Sequence, residues 1–298
     1  MRWGLQLGCA ALLLVSVCGT SVPRARAASL LPLVTEAAEP LPSGVAEAVL
    51  GYSYFHDLRF PFFTPGGALR RLNLMQLPLF EFRMGAGGWV EIQAAYDVLY
   101  LNEETSTGLT NWQYGSGDLR MFTKVRLLRE TVVLPAFALR FGTKLPNANS
   151  RNQLGTDATD FTADVLASKD FGLVTTHVNL GLTLLDNPGS TLTDQFKPGG
   201  QDDLFDYNVA VTSAPLGKPD PGAANLRLLA EVTGLTGSRY DNDRCSARFG
   251  IQLTQGAGTF YLGVSTGLVT GSEHIGLSTG FIYTFEPLSL FQNLTASG

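Results

Sequence analysis

The feature that most constrains this chain is a two-residue alternation of apolar and polar side chains over runs of ten residues or more. It is clearest in residues 115–146, GSGDLRMFTKVRLLRETVVLPAFALRFGTKLP, where two such runs are joined by a tight link. Because side chains in a β-strand alternate between the two faces, a period of two indicates strands. The segment is therefore predicted to form a hairpin with one apolar face and one charged face.

The two arms of this hairpin have the length and the apolar face of membrane-spanning strands. A strand tilted by about 45° needs about 9–11 residues to cross a bilayer. In the first arm the faces are Asp118, Arg120, Phe122, Lys124 and Arg126 against Leu119, Met121, Thr123, Val125 and Leu127. In the second arm they are Ala136, Ala138, Arg140, Gly142 and Lys144 against Val133, Phe137, Leu139 and Phe141.

Residues 1–27 carry the three parts of a secretory signal peptide. Arg2 gives a positive start, residues 5–17 form an apolar core that is too short to span a membrane, and Ala25-Arg26-Ala27 is an A-x-A cleavage site. We therefore expect export by the Sec pathway with cleavage near Ala27.

Charge and cysteine content narrow the classes of partner. Without residues 1–27 the chain has 18 basic and 26 acidic residues, a net charge of −8, and no polybasic run, which argues against nucleic acid.

Cys9 and Cys18 leave with the signal peptide, so Cys245 has no cysteine with which to form an internal disulfide, and we expect it to face lipid as a small apolar side chain. Lipid attachment at Cys18 is the weaker alternative, because Val17 is unfavourable directly before a lipidated cysteine.

After the signal peptide no apolar stretch reaches 18 residues, so no transmembrane helix is expected. Export combined with membrane-length strands leaves the closed barrel as the membrane structure. The prediction is an all-β fold, a transmembrane antiparallel β-barrel of about 12 strands and bacterial outer-membrane type, in residues 44–286. Residues 28–43 are expected to be a periplasmic tail or a segment that enters the barrel, and residues 287–298 a C-terminal tail.

Strands are predicted at regular intervals along the chain. Besides the two arms of the hairpin they are residues 45–56, 71–82, 89–100, 160–170, 174–184, 204–212, 226–234, 244–254, 259–270 and 275–285. Five of six links after odd strands are long and polar, and four of five after even strands are tight. With a periplasmic N-terminus, this parity is typical of bacterial barrels, whose long links are extracellular. An exported soluble β-protein is the weaker alternative, since β-sandwich turns show no such asymmetry.

The inward faces of the predicted strands carry acidic and basic side chains that are candidates for a pore wall. They are Glu91, Asp97, Asp118, Arg120, Lys124, Arg126, Arg140, Lys144, His177, Asn179, Arg227, Glu231, Arg244 and Arg248. In an open pore, such facing charges orient dipolar solutes and set selectivity. In a closed barrel they would instead pair into salt bridges that fill the interior, and the pattern is compatible with both.

No catalytic, cofactor-binding or metal-ligating residue is assigned from motifs. The sequence has no H-E-x-x-H, CxxC pair or P-loop. His177 and Asn179 share a face and would need a neighbouring serine to complete a hydrolase-like site. A histidine that only hydrogen-bonds in the lumen is the simpler interpretation. The acidic residues of the loops are expected to be solvated surface, with binding of divalent cations as the alternative: Glu103, Glu104, Asp186, Asp194, Asp202 and Asp203.

Four motifs, in about a third of the chain, carry a family resemblance. They are G-D-L-x-x-x-x-K-x-R-L at residues 117–127, P-A-x-A-L-x-x-x-x-K-L-P at 135–146, G-T-D at 155–157 and H-x-N-L-G at 177–181. These motifs resemble the outer-membrane transporter family named after the meta-cleavage pathway of phenol degradation. The resemblance implies a barrel like the fatty-acid channels, which passes hydrophobic or aromatic compounds across the outer membrane of Gram-negative bacteria.

The expected function is therefore a channel for passive uptake of small hydrophobic or aromatic solutes. The expected partners are outer-membrane lipid, the solute and the barrel-insertion machinery, with no nucleic acid and no cofactor. The alternative is a closed outer-membrane barrel with a structural role or with lipid or ester hydrolysis.

Overall fold

The structure is a computed structural model that describes residues 33–60, 70–104, 110–148, 154, 159–185, 203–216, 223–237 and 243–287. Within these residues thirteen strands form one antiparallel sheet. The first strand pairs with the last, so the sheet closes on itself as a barrel. The predicted signal peptide, the G-T-D loop, the loop acids Asp186, Asp194 and Asp202, and most of the C-terminal tail lie outside the described residues.

In the described part of the chain, no helix is long and apolar enough to cross a membrane.

The strands follow each other around the barrel nearly in chain order. They are β1 (Ala46–Phe60), β2 (Arg70–Ala86), β3 (Val90–Glu104), β4 (Thr110–Ser116), β5 (Leu119–Leu128), β6 (Ala136–Leu145), β7 (Asp160–Asp170), β8 (Val174–Leu184), β9 (Asp203–Ser213), β10 (Asn225–Gly237), β11 (Arg244–Gln255), β12 (Gly258–Gly267) and β13 (Ile275–Phe285). β4 and β5 pair with successive parts of β3 and share one position, so the barrel has twelve positions. The prediction of a twelve-stranded antiparallel barrel is confirmed.

The predicted loop between the third and fourth strands is partly wrong. Residues 101–104 continue β3, and β4 pairs with them. Polar composition suggested a loop, but Trp112 and Tyr114 alternate with polar neighbours and are exposed on the outer face. Aromatic rings are favoured at the membrane interface, and this outward placement explains why a polar stretch forms a strand.

The predicted position of Val133 on the apolar face of the second arm is also wrong. Val133 is almost fully exposed in the link between β5 and β6. There the Thr131 N–H donates to the Leu134 carbonyl oxygen at 2.9 Å, and the Leu134 N–H donates to the Thr131 hydroxyl at 2.9 Å. Pro135 has no N–H to give to a strand ladder, so β6 begins only at Ala136.

Apolar side chains cover the outside of the barrel, and polar side chains are buried on its inside. On β8, Leu180, Leu182 and Leu184 are exposed, whereas His177 and Asn179 are almost completely buried. This arrangement is the reverse of a water-soluble protein and is stable when lipid surrounds the barrel. The apolar outer face and the polar lumen therefore follow from the same alternation.

The two ends of the barrel differ in the length of their links. At the end where β1 begins and β13 finishes, the β2–β3, β7–β8 and β11–β12 links contain two or three residues. At the opposite end, the β8–β9 link spans residues 185–202. Long links of bacterial barrels are extracellular, so the first end is assigned to the periplasm.

We expect Leu180→Arg to destabilise the barrel by about 2–4 kcal/mol, since an arginine would then face lipid near the midplane. The control is Leu128→Arg, at the periplasmic end of β5, where the same charge costs about 0–1 kcal/mol. Leu180 and Leu128 are 48% and 51% exposed, so the pair differs in depth rather than exposure. Urea unfolding in lipid bilayers measures both, and equal losses of stability would contradict the lipid-facing assignment.

Candidate functional site

The segment before β1, residues 33–44, lies inside the barrel, and we call it the strap. Its backbone N–H groups donate to lumen side chains of four strands in turn: Val34 to Glu231 Oε2 at 3.1 Å, Glu36 to Asn179 Oδ1 at 2.7 Å, Ala38 to Ser168 Oγ at 2.8 Å, and Leu41 to Glu91 Oε2 at 2.7 Å. The first and last of these strands, β10 and β3, lie six positions apart in the barrel of twelve. The strap therefore crosses the lumen from one wall to the opposite one.

The carboxylate of Glu36 clamps the strap to the wall formed by β2, β3 and β5. Its Oε1 lies 3.0 Å from Arg83 Nη2, and its Oε2 lies 3.1 Å from Lys124 Nζ. Gln93 Nε2 also donates to Oε2, at 3.3 Å. All four side chains are buried, so each charge in this cluster relies on the others for stabilisation.

The charges around Glu36 keep its carboxylate ionised. Burial alone would raise the pKa of Glu36, but the positive charges of Arg83 and Lys124 outweigh burial and hold the pKa well below its usual range. A carboxyl group with a lowered pKa stabilises the folded state above its unfolded pKa, and this contribution is lost only as the pH falls through the lowered value. The clamp is therefore expected to persist at neutral and mildly acidic pH.

Further charged pairs extend the clamp toward the start of β1. Lys124 Nζ also lies 3.0 Å from Glu91 Oε1 and donates to the carbonyl oxygen of Ala37 at 3.2 Å. Arg126 pairs with Glu39 of the strap. The charged face of the predicted hairpin thus binds the strap, rather than facing an empty pore at this depth.

Small residues of the wall allow the strap to approach closely. Ala38 packs in a buried cluster with Ala136, Ala138 and Leu166. A Cβ atom at Gly85 would overlap the carbonyl oxygens of Leu41 and Pro42, so only glycine fits there. Leu33 similarly lies against Gly250 and Gly263.

Ser168 and His177 form a hydroxyl–imidazole pair beneath the strap. Ser168 Oγ lies 2.8 Å from His177 Nδ1, and both residues are almost completely buried. Since Ser168 Oγ accepts the Ala38 N–H, its own hydrogen is available for His177 Nδ1. Ser168 is the serine that the hydrolase-like prediction required. Asn179, however, does not bond this pair: its Oδ1 accepts the Glu36 N–H and its Nδ2 donates to the Glu36 carbonyl oxygen.

The extracellular half of the lumen holds further paired charges. Arg120 lies 3.1 Å from Asp97, Arg140 lies 2.8 Å from Asp164 and stacks on Phe122, and Lys144 lies near both Asp118 and Asp160. Arg248 lies 3.9 Å from Glu273. Of the fourteen predicted wall residues, Asp118 lies in the link between β4 and β5, and the other thirteen lie on strands at inward-facing positions. In the described structure most of the fourteen are bonded to each other or to the strap. Arg227 has no acidic partner among the described residues.

Several residues of the site were not predicted from the sequence. Arg83 lies one position beyond the predicted end of the second strand, although the alternation with Glu81 continues to it. Glu36 lies in a stretch without alternation and gives no such signal. Asp164 and Ser168 belong to the alternate positions of β7 that face the lumen, but no sequence motif marks them as site residues.

The last link folds into the barrel, so the predicted strand 259–270 is three residues too long. Glu273 accepts hydrogen bonds from Ser246 Oγ at 2.8 Å and from Ser265 Oγ at 2.7 Å. β12 therefore ends at Gly267, whose N–H donates to the carbonyl oxygen of Glu273 at 2.8 Å.

One wall of the extracellular half is apolar. Leu99 and Leu101 continue the inward face of β3 beyond Asp97, and Leu101 pairs with Leu74 of β2. They belong to a buried cluster with Leu72, and Ala148 and Leu154 from the β6–β7 link pack against it. We call Leu72, Leu74, Leu99 and Leu101 the leucine wall. Ala148 and Leu154 cover Leu72 and Leu101, whereas Leu74 and Leu99 are only partly buried. A second buried apolar cluster, formed by Val49 and Ile282 with Tyr261, also lies on inward faces.

No family model and no curated protein matches this sequence. Among solved structures, an outer membrane channel from Pseudomonas putida F1 is similar, with a TM-score of 0.60, 11% sequence identity, and coverage of 83% of this chain and 98% of the channel. The β-domain of the Bordetella autotransporter BrkA gives a TM-score of 0.45 at 8% identity, over 81% of this chain and 99% of that domain. At 11% identity, the similarity to the channel shows a shared outer-membrane barrel fold.

We expect Glu36→Gln to loosen the strap, because the substitution removes the charge that Arg83 and Lys124 share while keeping the size of the side chain. A lost hydrogen bond to a buried charged group costs roughly 1.5–3 kcal/mol, so amides of residues 34–41 should exchange with solvent at least tenfold faster. Hydrogen exchange followed by mass spectrometry measures this change. Glu39→Gln is the control, since Glu39 is more exposed and should change exchange less. Unchanged exchange in Glu36→Gln would contradict the clamp.

Proposed function

We propose that this protein is an outer-membrane channel for small apolar or aromatic solutes and that the strap is its gate. The observation that carries this proposal is the leucine wall. Lumen side chains of membrane barrels are ordinarily polar because water or polar side chains fill the interior. Apolar side chains on the inner face contribute nothing to insertion into lipid. Leu74 and Leu99, which are only partly buried, provide the kind of contact surface that an apolar solute requires.

The contacts of the strap fit a gate better than a permanent core. Its hold depends on hydrogen bonds and ion pairs to Glu91, Lys124, Asn179 and Glu231, and water molecules can replace such bonds during opening. A segment sealed by a large hydrophobic core would have no comparable substitute. The ion pairs make the closed state stable, and a solute that enters from the leucine wall would have to displace part of the strap to pass.

The sequence resemblance also supports apolar or aromatic compounds as the solutes of the channel. The motifs of the phenol-degradation family fall on β5, β6 and β8, which supply Lys124, Arg140, His177 and Asn179 to the lumen. We infer export by residues 1–27, insertion by the barrel-insertion machinery and residence in the outer membrane of a Gram-negative bacterium. Aromatic hydrocarbons and phenols are the solutes to test first.

We expect the double substitution Leu99→Asp and Leu101→Asp to reduce toluene or phenol entry into proteoliposomes several-fold. The carboxylates would make the leucine wall polar, while leaving the route for ions at least as wide. The control is Asn208→Asp, which adds a carboxylate to the polar wall of β9 without removing apolar surface. Planar-bilayer conductance of the same proteins shows whether the route for ions persists.

Two outcomes would decide against the channel. If neither the natural protein nor Glu36→Gln conducted ions or admitted any solute, the lumen would be closed and the proposal would be lost. If the aspartate substitutions left toluene entry unchanged, the leucine wall would have no part in it.

A second candidate function is ester or lipid hydrolysis, and the Ser168–His177 pair is the observation that favours it. The pair has the distance of a nucleophile and its general base, but the strap covers it and no oxyanion-binding group is assigned. We expect no esterase activity above background in the natural protein or in Glu36→Gln, where the strap is loosened. Measurable hydrolysis of a p-nitrophenyl ester that disappears in Ser168→Ala would instead favour this second function.

A further inference from the structure

Two of the three histidines of the chain lie side by side at the extracellular rim of the barrel. The ring centroids of His56 and His274 are 6.4 Å apart, and the ring planes differ by 29°. The His274 N–H donates to the carbonyl oxygen of His56 at 2.9 Å, which fixes the two backbones relative to each other. His56 belongs to β1 and His274 immediately precedes β13, so the pair lies on the seam that closes the barrel.

The hydrogen bonds of Asn73 fix the tautomer of His56. Asn73 Oδ1 accepts the backbone N–H of Asp57 at 3.1 Å and lies 2.7 Å from His56 Nδ1. An amide oxygen only accepts hydrogen bonds, so the hydrogen between Asn73 Oδ1 and His56 Nδ1 must be on Nδ1. A neutral imidazole carries one ring hydrogen, so its Nε2 then presents a lone pair. Metal-binding histidines are oriented in this way, by donating the other ring N–H to an oxygen.

We propose that His56 and His274 chelate an exchangeable divalent transition metal ion, with Zn²⁺ as the reference ion. Both residues are exposed. His274 borders a cavity of about 480 Å³ together with Asp57, Thr270 and Glu273, so solvent metal can reach the pair. Two imidazoles about 2.1 Å from a tetrahedral Zn²⁺ have ring centroids about 5 Å apart. From the stacked arrangement at 6.4 Å, the two exposed side chains must rotate so that one nitrogen of each ring points at a shared ion.

The site takes two ligands from the protein. Among the described residues no group of three or more histidine, cysteine, aspartate or glutamate residues has the spacing of a metal site. Water then completes the coordination, which makes the ion exchangeable rather than structural. Imidazole nitrogen favours Zn²⁺, Ni²⁺ and Cu²⁺, whereas Ca²⁺ and Mg²⁺ favour oxygen ligands. A bound ion would link β1 to the last link of the chain and stabilise the closed seam.

The test is calorimetric titration of the purified protein, without a polyhistidine tag, with ZnCl₂ alone. We expect saturable binding of one ion and a higher melting temperature with Zn²⁺ present. His274→Ala and His56→Ala should each weaken the binding at least tenfold. The control is Thr270→Ala, which alters the cavity of about 480 Å³ beside His274 without removing a nitrogen ligand and should bind as the natural protein does.

Two results would overturn the chelate. Zn²⁺ binding that is equally tight in His274→Ala and His56→Ala would place the ion elsewhere. CaCl₂ that competes with ZnCl₂ at equal concentration would point to carboxylates rather than imidazoles. Because the titration uses detergent-solubilised protein and no solute, its outcome is independent of whether the barrel is a channel.

Discussion

The wall of this barrel separates lipid on its outside from a polar interior, and the strict alternation of each strand follows from this difference. Lipid outside selects apolar side chains at one set of alternate positions, while the interior accepts charged and polar ones at the other set. A slip of one residue in β5 would move Arg120, Lys124 and Arg126 toward lipid together. A charge that faces lipid costs about 2–4 kcal/mol near the midplane and less toward the interfaces, so that slip would remove a large part of the stability of a typical domain. The register, and hence every lumen contact, is fixed by this cost.

The polar lumen makes a polar plug the natural way to close it. Glu36 has three partners on one wall, and backbone N–H groups of the strap find acceptors on β10, β8, β7 and β3. Buried charges that have lost a partner are strongly unfavourable, so the strap and the wall stabilise each other's charges. The leucine wall differs from these surroundings because it offers no polar group to the strap, and Ala148 and Leu154 of the β6–β7 link pack against it instead.

Much of the barrel was predictable because alternation is a local property. β7, β8 and β13 have the predicted bounds, and the inward faces of Lys124, His177 and Glu231 follow from parity alone. The errors lie where another force overrides the local pattern. β4 forms because its aromatic rings reach the membrane interface, and Val133 leaves its strand because Pro135 cannot join the ladder. Arg83 was missed because the second strand was predicted to end at residue 82, whereas β2 continues to Ala86.

The sequence by itself determined the alternation, and through it the membrane barrel, its twelve strand positions and which side chains face inward. It left open whether residues 28–43 enter the lumen and whether the inward charges line a pore or pair. Only the tertiary structure decided that residues 33–44 cross the lumen, that Glu36 lies between Arg83 and Lys124, and that His56 meets His274. These contacts join residues far apart in the chain, and no local period records them, because they depend on how the barrel closes.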